Sequence, residues 1–246
     1  MSKLLIKLDP IPSIKIKNIC FLFCIYSYNF SVLLYGSIIY GIESSDLDVA
    51  FITLDFNQND FERIKNATIQ FQKEFEMPLD EEVPYSNKLI YRQSEVEDML
   101  RRSPFKKVNG IYQITPVEIS EAYFSSKEMR YRLLLNLLTT RSILLQGDKT
   151  RIDSYRERAW ELLIKIVLSY NEIYEIKINR LLELLYQDKK HQVMGEDFLG
   201  YKRTHDEAII YLEEDCEEAL SKLTQKDKLK CLKKGHYKVN ENWVKE

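Results

Sequence analysis

The sequence predicts an α+β chain: a small mixed β-sheet with helices over residues 1–120, followed by an all-helical bundle over residues 121–246. Three observations predict it. All six prolines lie between Pro10 and Pro116, so the second half is free of helix breakers. Apolar runs of strand length, FSVLLY at 30–35 and LDVAFITL at 47–54, fall in the first half. From about 127 onward, leucines recur at helical spacing.

The elements follow in order. Residues 13–28 suit a buried helix, although aromatic and β-branched content leaves a strand open. Strands are expected at 30–35 and 47–54. Asn57–Asp60 supplies cap residues for a helix over about 61–76, which Pro78 ends. A short strand follows near 79–83. Ser94-Glu-Val-Glu97 is a capping box for a short helix. Residues 105–114 suit a hairpin, because Asn109-Gly110 fits a type I′ turn. Thr115-Pro116-Val-Glu118 starts another helix. Long helices are then expected over about 127–146, with Gly147 as the stop, over about 152–188, and over about 204–225.

Composition narrows the function. Thirty-six Lys+Arg against 38 Asp+Glu give a net charge of −2, without the basic excess that a grip on long nucleic acid usually needs. The tail is an exception: residues 222–246 hold eight lysines and three acids, which suits a solvated end or contact with an anionic partner. Cys20, Cys24, Cys216 and Cys231 form no CxxC pair and read as reduced thiols of a cytoplasmic protein. From Asn18 to Ile42 no residue is charged, but Ser27, Asn29, Ser31, Gly36, Ser37 and Gly41 interrupt the run. A buried helix followed by a central strand explains it better than a membrane span. The N-terminus shows no signal-peptide pattern.

The informative stretch runs from Leu33 to Phe51. A hydrophobic strand leads directly into Gly36-Ser37. Lacking a Cβ, Gly36 lets the backbone turn sharply and approach a ligand. Free N–H groups there, with the Ser37 hydroxyl, would suit a phosphate. Asp46-Leu47-Asp48 follows, and in a strand the two carboxylates share one face. Adjacent carboxylates repel unless a cation lies between them, and hard oxygen ligands select Mg²⁺, which also binds phosphate oxygens. Together these motifs point to a metal-bound nucleoside triphosphate. A third acid would share the second metal or take the proton of the attacking hydroxyl. Asp80 leads for that role and Glu82 follows, both on the acidic strand at 79–83.

This set resembles the nucleotidyltransferase superfamily that includes DNA polymerase beta, the minimal nucleotidyltransferases and the aminoglycoside nucleotidyltransferases. Gly36-Ser37 matches its Gly-Ser element, Asp46-Leu47-Asp48 its paired acids, and Asp80 or Glu82 its third acid. The spacer between Ser37 and Asp46 is slightly shorter than the family pattern. The resemblance implies that Gly36 and Ser37 bind the β/γ-phosphates, that Asp46 and Asp48 hold two Mg²⁺, and that the third acid, Asp80 or Glu82, activates the acceptor. The implied reaction moves a nucleoside monophosphate, AMP from ATP first, to a hydroxyl of a small molecule or a protein. The alternative is a nucleotidyltransferase-like antitoxin or regulator that docks a protein partner through its helical half.

Other residues have plainer roles beside the functional ones. Lys88 is the best basic candidate for a phosphate by its proximity to the third acid. Arg141 either faces the cleft or, more simply, pairs with an acid of the bundle. His191, His205 and His236 have no metal spacing and read as surface residues. Glu213–Glu218 reads as an exposed helix face, because it lacks the turn glycine of a calcium loop.

Overall fold

The structure, a computed structural model, describes residues 30–35, 39, 48–54, 59, 62, 64–66, 69, 90–102, 106–113, 127–188 and 201–246. The chain is mixed α+β and divides into two compact units. One comprises residues 1–93 with 142–148, the other 94–141 with 149–246. The first unit thus takes back a later piece of chain.

The first unit is built on a four-stranded sheet. Its strands are β1 (Phe30–Tyr35), β2 (Asp48–Thr53), β3 (Ile90–Arg92) and β6 (Ile143–Gln146), in the order β3-β2-β1-β6. β2 pairs antiparallel with β1 and parallel with β3, and β6 pairs antiparallel with β1. Val32, Leu33, Leu34, Val49, Ala50, Phe51 and Ile52 are all buried, so both faces of the central strands are covered. Burial on both faces explains why these strands read as unbroken apolar runs. Phe30 and Phe51 meet edge to face, 6.5 Å between centroids. Residues 59, 62, 64–66 and 69 are helical, on the segment where a helix was expected, and Ile64 is buried. The segments expected as a helix at 13–28, a strand at 79–83 and a helix start at 115–118 lie outside the described residues.

β6 corrects the helix expected over 127–146. The helix α2 (Lys127–Thr139) ends seven residues earlier, and Ile143–Gln146 is extended. Thr139 turns its hydroxyl back to the Leu135 carbonyl, 2.8 Å, a bond typical of a β-branched residue in the last turn. The following apolar run then pairs with the edge of β1, with Leu34 opposite Ile143. An open, apolar strand edge outweighs the weak helical preference of four residues. Gly147 is a close-approach glycine as well as an end signal. Its φ is +121°, and a Cβ there would lie 2.7 Å from the Ser31 Cα.

The second unit contains α1 (Gln93–Arg102), the hairpin β4 (Lys106–Val108) and β5 (Ile111–Gln113), α2, and α3 (Lys149–Tyr170). It continues with β7 (Glu175–Lys177), α4 (Ile178–Asp188), α5 (Tyr201–Gln225), β8 (Leu229–Lys233), β9 (His236–Val239) and α6 (Glu241–Lys245). The hairpin turns as expected, with φ of +53° at Asn109 and +84° at Gly110. α3 is the hub. It buries Ile152, Tyr155, Ala159, Trp160, Leu163 and Val167, and it packs on α2, α4, α5 and α6. Ser169 anchors the hairpin, donating to the Gly110 carbonyl and accepting from the Tyr112 N–H.

This unit is not all-helical, a second correction. The long helix expected over 152–188 stops at Tyr170 and resumes at Ile178. The Ile173 N–H donates to the Leu168 carbonyl and the Glu172 N–H to the Ser169 carbonyl, a Schellman stop. Glu172 takes the left-handed conformation, φ +53°, where glycine is usual, so no sequence signal marked the break. The same motif ends α5 with Asp227 at φ +56°. The tail then forms a three-stranded antiparallel sheet in the order β7-β9-β8. Among the described residues no helix is long and apolar enough to cross a membrane.

Candidate functional site

The sheet of the first unit has one end where several sequence signals meet. β1 runs toward it and ends at Tyr35, and β2 starts from it at Asp48. The register sets Tyr35 directly opposite Asp48. β6 also begins at this end, with Ile143 opposite Leu34. The neighbouring positions Leu34 and Val49 are buried, so the strands reach this end as a packed, water-free support.

In the chain, Gly36-Ser37 directly follows Tyr35 and Asp46-Leu47 directly precedes Asp48. Gly36, Ser37, Asp46, Asp80, Glu82 and Lys88 themselves lie outside the described residues, and Asp48 is placed by its backbone as the first residue of β2. β3, the strand parallel to β2, bears Ile90, Tyr91 and Arg92 and no carboxylate. Arg92 is opposite Thr53, at the far end of β2 from Asp48. Among the described residues, no three His, Cys, Asp or Glu side chains gather into a metal-sized group.

Several charged candidates have structural partners. Arg141 binds Asp215 at 3.1 Å and Glu214 at 2.9 Å, as the bundle reading expected. Burial works against its charge, but the two carboxylates outweigh that and hold its pKa above the usual arginine value. Glu213, Glu214, Glu217 and Glu218 are exposed on α5, as expected of a solvated helix face. Lys107 donates to the Val244 and Lys245 carbonyls and lies over the Tyr112 ring, so it caps the last turn of α6. Arg102 pairs with Asp98 at 2.7 Å. His236 is half-buried beside Glu175, 2.8 Å from Nε2 to Oε1.

Motif reasoning missed a depression of about 300 Å³ in the second unit, lined by Ile173, Glu175, Ile176, Lys177, Arg180 and His236. The available signal was the alternation in Leu229-Lys230-Cys231 and His236-Tyr237-Lys238-Val239, which is a strand pattern. No family model matches the chain, and searches of curated proteins and of solved structures return no match either.

Proposed function

We propose that the chain is a Mg²⁺-dependent nucleotidyltransferase that moves a nucleoside monophosphate, AMP from ATP first, to a hydroxyl of a small molecule or a protein. What supports the reading is the register of Tyr35 opposite Asp48. That pairing ends one strand at Gly36-Ser37 and starts the next at the second acid of Asp46-Leu47-Asp48, at the same end of a buried sheet. In this reading Gly36 and Ser37 hold the β/γ-phosphates, with Lys88 beside them. Asp46, Asp48 and Asp80 or Glu82 hold Mg²⁺, which supplies charge neutralisation. The acceptor oxygen attacks the α-phosphorus, its proton passes to the third acid, and pyrophosphate leaves. Positioning and electrostatics carry most of such catalysis.

The test combines the purified chain with α-labelled ATP, Mg²⁺ and panels of hydroxyl compounds and proteins. Label transfer that disappears in Asp46→Asn/Asp48→Asn supports the reading. Absence of transfer, together with no heat of ATP·Mg²⁺ binding in titration calorimetry, overturns it. A stoichiometric protein partner retained by that double variant would favour the docking alternative.

A further inference from the structure

We propose that the outer face of the β7-β9-β8 sheet binds single-stranded nucleic acid, with one nucleotide entering the adjoining depression. The inference stands apart from the nucleotidyltransferase reading and uses only the second unit.

Register and burial divide the sheet into two faces. Ile176, Leu229 and Val239 are buried and form the inner one. On the outer face the strand pairs line up in two rows. Lys177, His236 and Lys233 make one row, and Glu175, Lys238 and Lys230 make the other. Every lysine in these rows is exposed. Glu175 is the one acid, and His236 engages it at 2.8 Å. Lys234 adds a further exposed charge in the β8–β9 turn.

Apart from Lys245, which pairs with Glu241, the lysines of the tail and of β7 therefore sort into two sets. Lys222, Lys226 and Lys228 are taken up by Glu157, Glu161 and Glu218, which ties the end of α5 to α3. Lys177, Lys230, Lys233, Lys234 and Lys238 form no ion pair among the described residues. In a chain of net charge −2, this is a local concentration of positive charge on one face of a sheet.

Spacing and shape favour a phosphate polymer. Alternate residues on a strand stand about 6.6 Å apart and neighbouring strands about 4.8 Å apart, a grid that suits successive phosphates of an extended strand. The depression adjoins the Lys177–His236 row, with half-buried Ile173 as apolar lining and Arg180 on α4 at its side. Its volume of about 300 Å³ accommodates a nucleotide. A membrane surface fits less well. Leu232 is the one large apolar side chain exposed on the β8–β9 hairpin, and a single side chain makes no insertion stripe.

The experiment measures anisotropy of a fluorescein-labelled, mixed-sequence 20-nucleotide RNA with the full chain at graded salt. Binding is expected at about 10 μM or tighter in 50 mM salt, with log K falling as log salt rises. Lys230→Glu/Lys238→Glu should weaken it at least tenfold and flatten the salt slope by about 1.4, the share of two phosphates on a single strand. Lys149→Glu/Arg101→Glu makes the same charge change elsewhere and should leave binding within about threefold. If the glutamate pair fails to fold, Lys230→Gln/Lys238→Gln gives the same comparison with a smaller loss. No RNA binding by the unaltered chain overturns the proposal. So does equal loss in the control pair, or binding to phosphatidylserine vesicles without binding to RNA.

Discussion

The two larger sheets among the described residues solve burial in opposite ways. The β3-β2-β1-β6 sheet has central strands covered on both faces, from Val32 to Leu34 and from Val49 to Ile52. The β7-β9-β8 sheet buries Ile176, Leu229 and Val239 on one face and exposes lysines on the other. A sheet covered on both faces is a rigid mount whose function is confined to its ends. A sheet covered on one side offers a whole surface. The candidate chemistry of the first lies at the Tyr35–Asp48 end, and the candidate contact of the second spreads over two rows of residues.

The sharpest way to break this contrast is at Asp48. Asp46→Asn/Asp48→Asn should lower nucleotidyl transfer by about 100–1,000-fold, the scale on which a lost electrostatic anchor acts. Its melting temperature should change little, since Asp48 opens β2 at a sheet end. Activity unchanged in label-transfer assays would remove the first sheet's special end.

Gly147→Ala comes next. The added methyl would meet Ser31 Cα at 2.7 Å, and alanine disfavours a φ of +121°. Urea titration should show a loss of about 3 kcal/mol. A loss below about 1 kcal/mol would mean that β6 is held loosely against β1.

Acid is the third probe, and it acts on the second unit. The hydrogen bond from Arg158 holds Glu97 below the ordinary carboxyl value of 4.5. Lys226 does the same for Glu157. For Glu161 burial pushes upward, but Lys228 and Lys226 outweigh it. Carboxyls that ionise more easily in the folded chain stabilise it above their unfolded value. That stability is lost as pH falls through the lowered folded values. Thermal melts should therefore drop from pH 4.5 downward, by about 1 kcal/mol in all for pairs so open to water. In Glu157→Gln/Glu161→Gln the drop should be smaller, and an unchanged profile would exclude these pairs as its source.

The smallest effect is expected on the lysine face. Lys238→Ala should shift the urea midpoint by less than about 0.5 kcal/mol, as exposed substitutions do. A larger shift would show that the lysines support the sheet instead of standing free on it.

The same contrast governs what could be read from sequence. β1 and β2 were legible because strands buried on both faces are continuous apolar runs with glycine or acids at their ends. The Asn109-Gly110 turn was legible because its φ values demand such residues. Ile143–Gln146 was not, because a four-residue run after a helix has no period of its own and takes its state from β1. The Tyr170 stop was hidden because Glu172 adopts a glycine conformation. β8 and β9 were hidden because lysines on alternate positions look like a solvated end. Beside the candidate site, the apolar runs at 30–35 and 47–54 anticipated β1 and β2. The acid-free β3 was not anticipated.

The late return of β6 to β1 has a consequence for how the chain is made. The first unit's last strand emerges from the ribosome only after α2, some fifty residues behind β3. Until then β1 has an unpaired apolar edge, open to association with another nascent copy. Shortened versions cut near residue 120 would keep that edge permanently, so expression of the first unit alone calls for β6 to be grafted back by a short linker.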